Sequence, residues 1–241
     1  MNAKEFLRRQ TIPRLTQAVP DFPYVSLSAI RRDLKTHKIA VQPATLPRYL
    51  HDLTKEGVIF DAGRAWYSTL ATPFALNREP VQELVTLLEK HFPFLDFSVW
   101  STAQIASYGH HLLARFVSFV YTAKDAMESV ADVLRDNGHS AYIDPTLQET
   151  TRNLRMDDKT VVVLPEISGA PTDGKFATIE KILVDLYVET QTIHLMDVLE
   201  FKRLMTNVLS GHRIAIGTLI RYAENRRDLH VQDFIGAKIN Q

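Results

Sequence analysis

Three groups of residues have types and spacings that could carry catalysis. Gly169-Ala-Pro-Thr-Asp-Gly174-Lys175 has the spacing of a phosphate-cradling loop and follows a hydrophobic stretch. Such a loop holds magnesium through a Ser or Thr directly after the lysine. Here Phe176 stands there, and Pro171 removes an amide from the cradle, so a Gly/Pro surface loop is expected instead. Asp144, Asp173 and Lys175 supply the acidic pair plus lysine that holds a metal in some nucleases, but Lys175 falls in a loop where that chemistry needs it fixed on a strand. His110 and His111 are adjacent, so their side chains point different ways and do not chelate by spacing. A buried or capping role is expected for them. The chain has no cysteine, which excludes disulfides, thiolate metal sites and a thiol nucleophile. The expectation is therefore no catalytic residue, no metal and no cofactor.

The chemistry that remains is binding. Net charge is zero over 241 residues, but the average hides a split. Residues 1–69 hold 11 Lys/Arg and 6 Asp/Glu, net +5, and residues 70–241 hold 17 and 22, net −5. A basic module joined to an acidic one is what phosphate binding by one end would need. The candidate contacts are Arg31, Arg32, Lys35, Lys38, Thr45, Arg48, Tyr49, His51, Lys55 and Arg64.

The elements that must position them are legible in the pattern. Ser26 or Ser28 caps a helix running to about Thr36, with Ile30 and Leu34 facing inward. Lys38 to Val41 makes a turn, Pro43 sits near the start of the next helix, and Gly57 stops that helix after Glu56. Leu46, Leu50 and Leu53 form its buried stripe, so Arg48, His51, Asp52 and Lys55 face outward with Thr45 and Tyr49 on the flanks. Asp52 would repel phosphate there unless it pairs with Arg48 one turn earlier or accepts from a cytosine amino group. Residues 58–60 and 65–68 then alternate as strands around Asp61-Ala-Gly-Arg64, a hairpin with Arg64 at its tip. Helix, turn, helix and hairpin make a winged helix-turn-helix, whose second helix enters the major groove while the hairpin reaches backbone or minor groove. The competing reading is a compact scaffold with a solvated charged surface.

Beyond a linker at residues 71–77 the pattern is α/β. A helix opens at Pro80. Strands are expected at 94–100, 116–122, 141–144 and 160–167, with helices near 102–107, 123–137 and 146–154, the first opened by a Ser101/Gln104 capping box. From Thr178 the chain is helical, with Ile179, Ile182, Leu183, Leu186 and Tyr187 on one face, Gly211 between two further helices and a last helix at 228–237. The fold expectation is thus an N-terminal winged helix-turn-helix domain over 1–70 followed by an α/β domain over 77–241 that ends in helices.

The segments Tyr24-Val-Ser-Leu-Ser-Ala-Ile-Arg-Arg-Asp33, Leu50-His-Asp-Leu-Thr-Lys-Glu-Gly57 with Val58-Ile-Phe60, and Ile179-Glu-Lys-Ile-Leu-Val-Asp-Leu186 together resemble AbiEi-type antitoxins of abortive-infection toxin-antitoxin systems. That resemblance implies a DNA-binding transcriptional regulator that represses its own operon through double-stranded operator DNA and counteracts a nucleotidyltransferase-type toxin. It carries over no catalytic residues. A metal-dependent nuclease or nucleotide-dependent enzyme, targeted by the winged domain, is the alternative. No stretch approaches a membrane span and no secretory core is present, so a cytoplasmic setting without membrane contact is expected. The sequence leaves open whether the toxin is bound directly, and whether the regulator is a homodimer on a two-fold operator or a monomer.

Overall fold

The computed structural model describes residues 2–109, 116–146, 157–193 and 195–226. His110 and His111, the expected helix at 146–154 beyond its first residue, and the expected last helix lie outside these residues. The chain is mixed α/β and divides into two compact units. Of the described residues, the first unit takes 2–74 and 205–224, and the second takes the remainder.

The first unit opens with helix α1 (Ala3–Phe6), a π-helical turn (Leu7–Thr11) and α2 (Ile12–Gln17). Pro13 lacks the N–H that would close on the preceding turn and crowds the carbonyl four residues back, which accounts for the widened turn just before it. Strand β1 (Tyr24–Ser26) leads into α3 (Leu27–Thr36), then α4 (Thr45–Lys55), β2 (Phe60–Asp61) and β3 (Trp66–Ser68). The three strands pair in the order β1-β3-β2, all antiparallel, with Tyr24 and Phe60 both opposite Ser68. Phe6, Leu7, Ile12, Ile30, Leu34, Leu46, Leu50, Leu53 and Ile59 form one core beneath these elements.

The sequence expectation closes this domain at residue 70, whereas the contacts bring Met205–Glu224 into it. That segment holds most of α8 (Val198–Gly211) and α9 (Ile216–Asn225). It buries Val208, Leu209, Ile216, Leu219 and Tyr222 almost completely. Gly217 shows how close the approach is. A Cβ there would lie 2.8 Å from the Arg64 carbonyl oxygen and 2.9 Å from the Arg64 nitrogen, both backbone atoms of the β2–β3 loop. The Gly217 N–H also donates to the Ala62 carbonyl at 3.2 Å.

The second unit is a six-stranded mixed sheet in the order β6-β7-β5-β4-β9-β8. Its strands are β4 (Phe97–Ser101), β5 (Ser118–Thr122), β6 (Ser140–Ile143), β7 (Thr160–Pro165), β8 (Thr172–Asp173) and β9 (Phe176–Ala177). Strands β5, β6 and β7 run parallel, β4 and β9 run parallel to each other, and β4 lies antiparallel to β5. Helices α5 (Glu79–His91) and α6 (Met127–Asp136) pack on one face against Phe97, Val99, Val120, Val161 and Val163. Helix α7 (Ile179–Ile193) meets Tyr121, which alternates to the other face. Burial on both faces is why β7 reads as an unbroken apolar run. The Ser101/Gln104 capping box forms, but it opens two short 3-10 turns and not the single helix the pattern suggests.

Helix α7 departs most from expectation. In place of one apolar face, every residue from Ile179 to Leu186 is buried, Lys181 and Asp185 included. Lys181 forms an ion pair with Asp185 and stacks its ammonium over the Tyr121 ring, 3.3 Å from the centroid. Arg226 closes the cluster, reaching Asp185 at 3.5 Å and Glu189 at 3.0 Å. Burial lowers the Lys181 pKa against the pull of Asp185 and raises that of Glu189 against the pull of Arg226.

Gly217→Ala is expected to destabilise the protein by about 1–3 kcal/mol, because the backbone it meets cannot swing aside. Thermal melting checks this through a fall of several degrees. An unchanged melting temperature would mean that the hairpin loop does not rest on α9.

Candidate nucleic-acid interface

Helix α3 starts where it does because the Ser26 hydroxyl accepts from the Ala29 N–H at 3.1 Å. It ends at a left-handed Lys38 (φ 57°), with the Ile39 N–H bonded to the Leu34 carbonyl at 2.9 Å. Helix α4 ends the same way through Gly57 (φ 70°) and the Val58 N–H on the Leu53 carbonyl. Between these ends Leu46, Leu50 and Leu53 are 4%, 0% and 0% exposed, so the opposite face of α4 is turned outward. Arg48, His51 and Lys55 are exposed on it, Thr45 is half-buried, and Tyr49 is half-buried against the leucine core. Arg31, Arg32, Lys35 and Lys38 are exposed on α3 and the turn. In the hairpin the Asp61 carboxylate accepts from the Gly63 N–H at 2.9 Å, and Gly63 (φ 90°) closes the loop that exposes the Arg64 side chain. The Arg64 backbone is backed by Gly217, so only its side chain is free to reach outward.

Asp52 does not pair with Arg48. It pairs with Lys4 of α1 at 3.3 Å, and Glu56 pairs with Lys4 at 2.7 Å and with Arg8 at 3.3 Å. These carboxylates hold the Lys4 ammonium above its ordinary pKa, the Glu56 hydrogen bond contributing most. Asp33, only 8% exposed at its side chain, takes Arg14 on both oxygens at 2.7 Å and the Thr11 hydroxyl at 2.8 Å. Arg9 pairs with Glu5. The four cations of the N-terminal helical segment thus occupy Glu5, Asp33, Asp52 and Glu56. Among the described residues the other seven Lys/Arg of residues 1–69, namely Arg31, Arg32, Lys35, Lys38, Arg48, Lys55 and Arg64, have no carboxylate within ion-pair distance. Apart from Arg9–Glu5, one helical turn apart, sequence periodicity could not show this, since the other pairs span 19 to 52 positions.

The catalytic constellations do not assemble. Asp144 follows β6 at one edge of the sheet and Asp173 lies in β8 at the other. Five strand spacings of about 4.8 Å separate them by roughly 24 Å, too far for a shared metal. Asp173 pairs with Arg78. The Gly169–Lys175 stretch is no cradle opening into a helix: its second half is the β8–β9 hairpin, turned at Gly174 (φ 61°). The Lys175 ammonium donates to the Leu95 carbonyl at 2.8 Å and lies over the Phe97 ring. Among the described residues no group of three or more His, Cys, Asp or Glu could hold a metal, and no helix is long and apolar enough to cross a membrane.

Residues 45–241 match the model of DUF6577, a family of unknown function, and the chain belongs to that family. The match begins at the first residue of α4 and runs through the hairpin and the second unit. No curated protein matches the chain.

Arg14→Met is expected to cost about 2 kcal/mol in urea unfolding, less than the full penalty for a broken buried pair because Arg14 is 40% exposed. Arg14→Met with Asp33→Leu should recover most of that loss. Equal destabilisation by the single and double variants would show that the pair is not what joins α2 to α3.

Proposed function

We propose that the chain is a DNA-binding transcription regulator in which α3, the turn, α4 and the β2–β3 hairpin make a winged helix-turn-helix, with α4 as recognition helix and the hairpin as wing. One observation carries the reading. Among the described residues, the cations of residues 1–69 without a carboxylate partner are those of α3, the turn, α4 and the hairpin, while those of the N-terminal helical segment are paired. A cation already paired must break its bond to meet a phosphate, whereas a solvated one only displaces water and counterions. Pairing of Asp52 with Lys4 also removes the repulsion it would bring to a groove-facing helix. The likeness to AbiEi-type antitoxins extends the proposal: the first unit represses the chain's own operon in the cytoplasm, and the second counteracts a nucleotidyltransferase-type toxin.

Arg48→Ala should weaken operator binding by on the order of 1–3 kcal/mol and relax specificity at one base position, as loss of a base-edge contact does. Arg64→Ala should lower affinity for all sequences alike and make the salt dependence shallower by about one, as loss of a phosphate contact does. Gel shifts over a salt series, against the operator and a scrambled duplex, read both. Unchanged affinity in two folded variants would remove the basis for DNA reading.

A further inference from the structure

On the α2 side of α3 the first unit holds an open cleft of about 190 Å³. Leu15, Val19 and Ala29 form its aliphatic walls, and Phe22, Tyr24 and Trp66 its aromatic ones. The rings are already in mutual contact, Phe22 and Tyr24 at 5.2 Å between centroids and Phe22 and Trp66 edge-on at 6.4 Å. An engineered apolar cavity of about 150 Å³ takes a benzene molecule, so this volume suits one six-membered ring with a short substituent.

Apart from Arg32 and the Trp66 indole N–H, the polar side-chain groups lining the cleft are engaged. The Ser26 hydroxyl caps α3, the Thr36 hydroxyl donates to the Arg32 carbonyl at 3.0 Å, and the Tyr24 hydroxyl donates to the His212 carbonyl at 2.8 Å. Both Asp33 oxygens are taken by Arg14 and Thr11, so the one carboxylate in the lining is neutralised. Arg32 is the one charged group of the lining left over: its guanidinium has no ion-pair or hydrogen-bond partner among the described residues. A planar fork of donors at the side of an aromatic-walled cleft matches a planar anion carried on a ring.

We infer that this cleft binds a small aromatic monocarboxylate, its ring among Phe22, Tyr24 and Trp66 and its carboxylate on the Arg32 guanidinium. The ring gains apolar burial and edge-to-face contact, and the anion meets a net positive charge because Arg14 has cancelled Asp33. Arg32 is thereby set apart from Arg31 and Lys35, which do not line the cleft.

The test uses the full chain and two probes of the same shape, phenylacetate and neutral phenylacetamide, followed by the indole N–H resonances of Trp66 and Trp100. Trp100 is fully buried and outside the cleft lining, so it serves as the internal control. Phenylacetate is expected to shift Trp66 saturably and leave Trp100 in place. Phenylacetamide, and phenylacetate with Arg32→Gln, should bind at least about tenfold more weakly, the factor for losing hydrogen bonds to a charge. Ala29→Leu, which fills the cleft and keeps Arg32, should abolish the shift. No saturable shift of Trp66, equal binding of acid and amide, or unaltered binding by Arg32→Gln or Ala29→Leu would each overturn the assignment.

Discussion

A carboxylate taken out of water must find a cation, and each unit is arranged around one such demand. In the first it is Asp33, whose position on the flank of α3 leaves it almost without solvent. Arg14 and Thr11 answer it, which draws the N-terminal helical segment across α3, and Lys4 and Arg8 draw the same segment onto α4. In the second it is Asp185 on the fully buried stretch of α7. Lys181 from one turn earlier and Arg226 from far along the chain meet there, and Arg226 also reaches Glu189.

This allocation of acid to base decides the electrostatics of the outward surface. Had Asp52 been left to pair along α4 with Arg48 or Lys55, and Glu56 left without a partner, that helix would carry no excess of positive charge. Because the N-terminal segment takes them, the excess of positive charge seen in the composition is concentrated on α3, the turn, α4 and the hairpin. Concentrated, unpaired cations on elements of this type are the physical basis for reading the unit as a partner of a polyanion.

The second unit shows the converse, residues whose types suggest chemistry but whose placement disperses it. Asp144 and Asp173 end at opposite edges of one sheet, and Lys175 is held by the Leu95 carbonyl. Spacing along a chain says nothing about spacing across a sheet unless the strand order is known, and here β8 and β9 join at the far side from β6 and β7.

Local pattern carried much of the rest. The caps at Ser26 and Ser101, the stops near Lys38 and Gly57, the Leu46/Leu50/Leu53 stripe and the α/β character beyond residue 77 were all legible, because each depends on residues within one or two turns of each other. Strand β1 was not, since three residues leading into a helix carry no period and gain their identity only by pairing with β3. The burial of Lys181 and Asp185 was hidden because a lysine and an aspartate four residues apart read equally well as a solvated pair. The return of Met205–Glu224 to the first unit was hidden too, for Gly217 signals a close approach only once the backbone it must accommodate is in view. Short-range sequence pattern set α3 and α4 with their C-terminal stops, and the β2–β3 hairpin. Which charges remain free, and which helices share a core with the hairpin, was decided by tertiary structure alone, because both depend on contacts between residues dozens to well over a hundred positions apart.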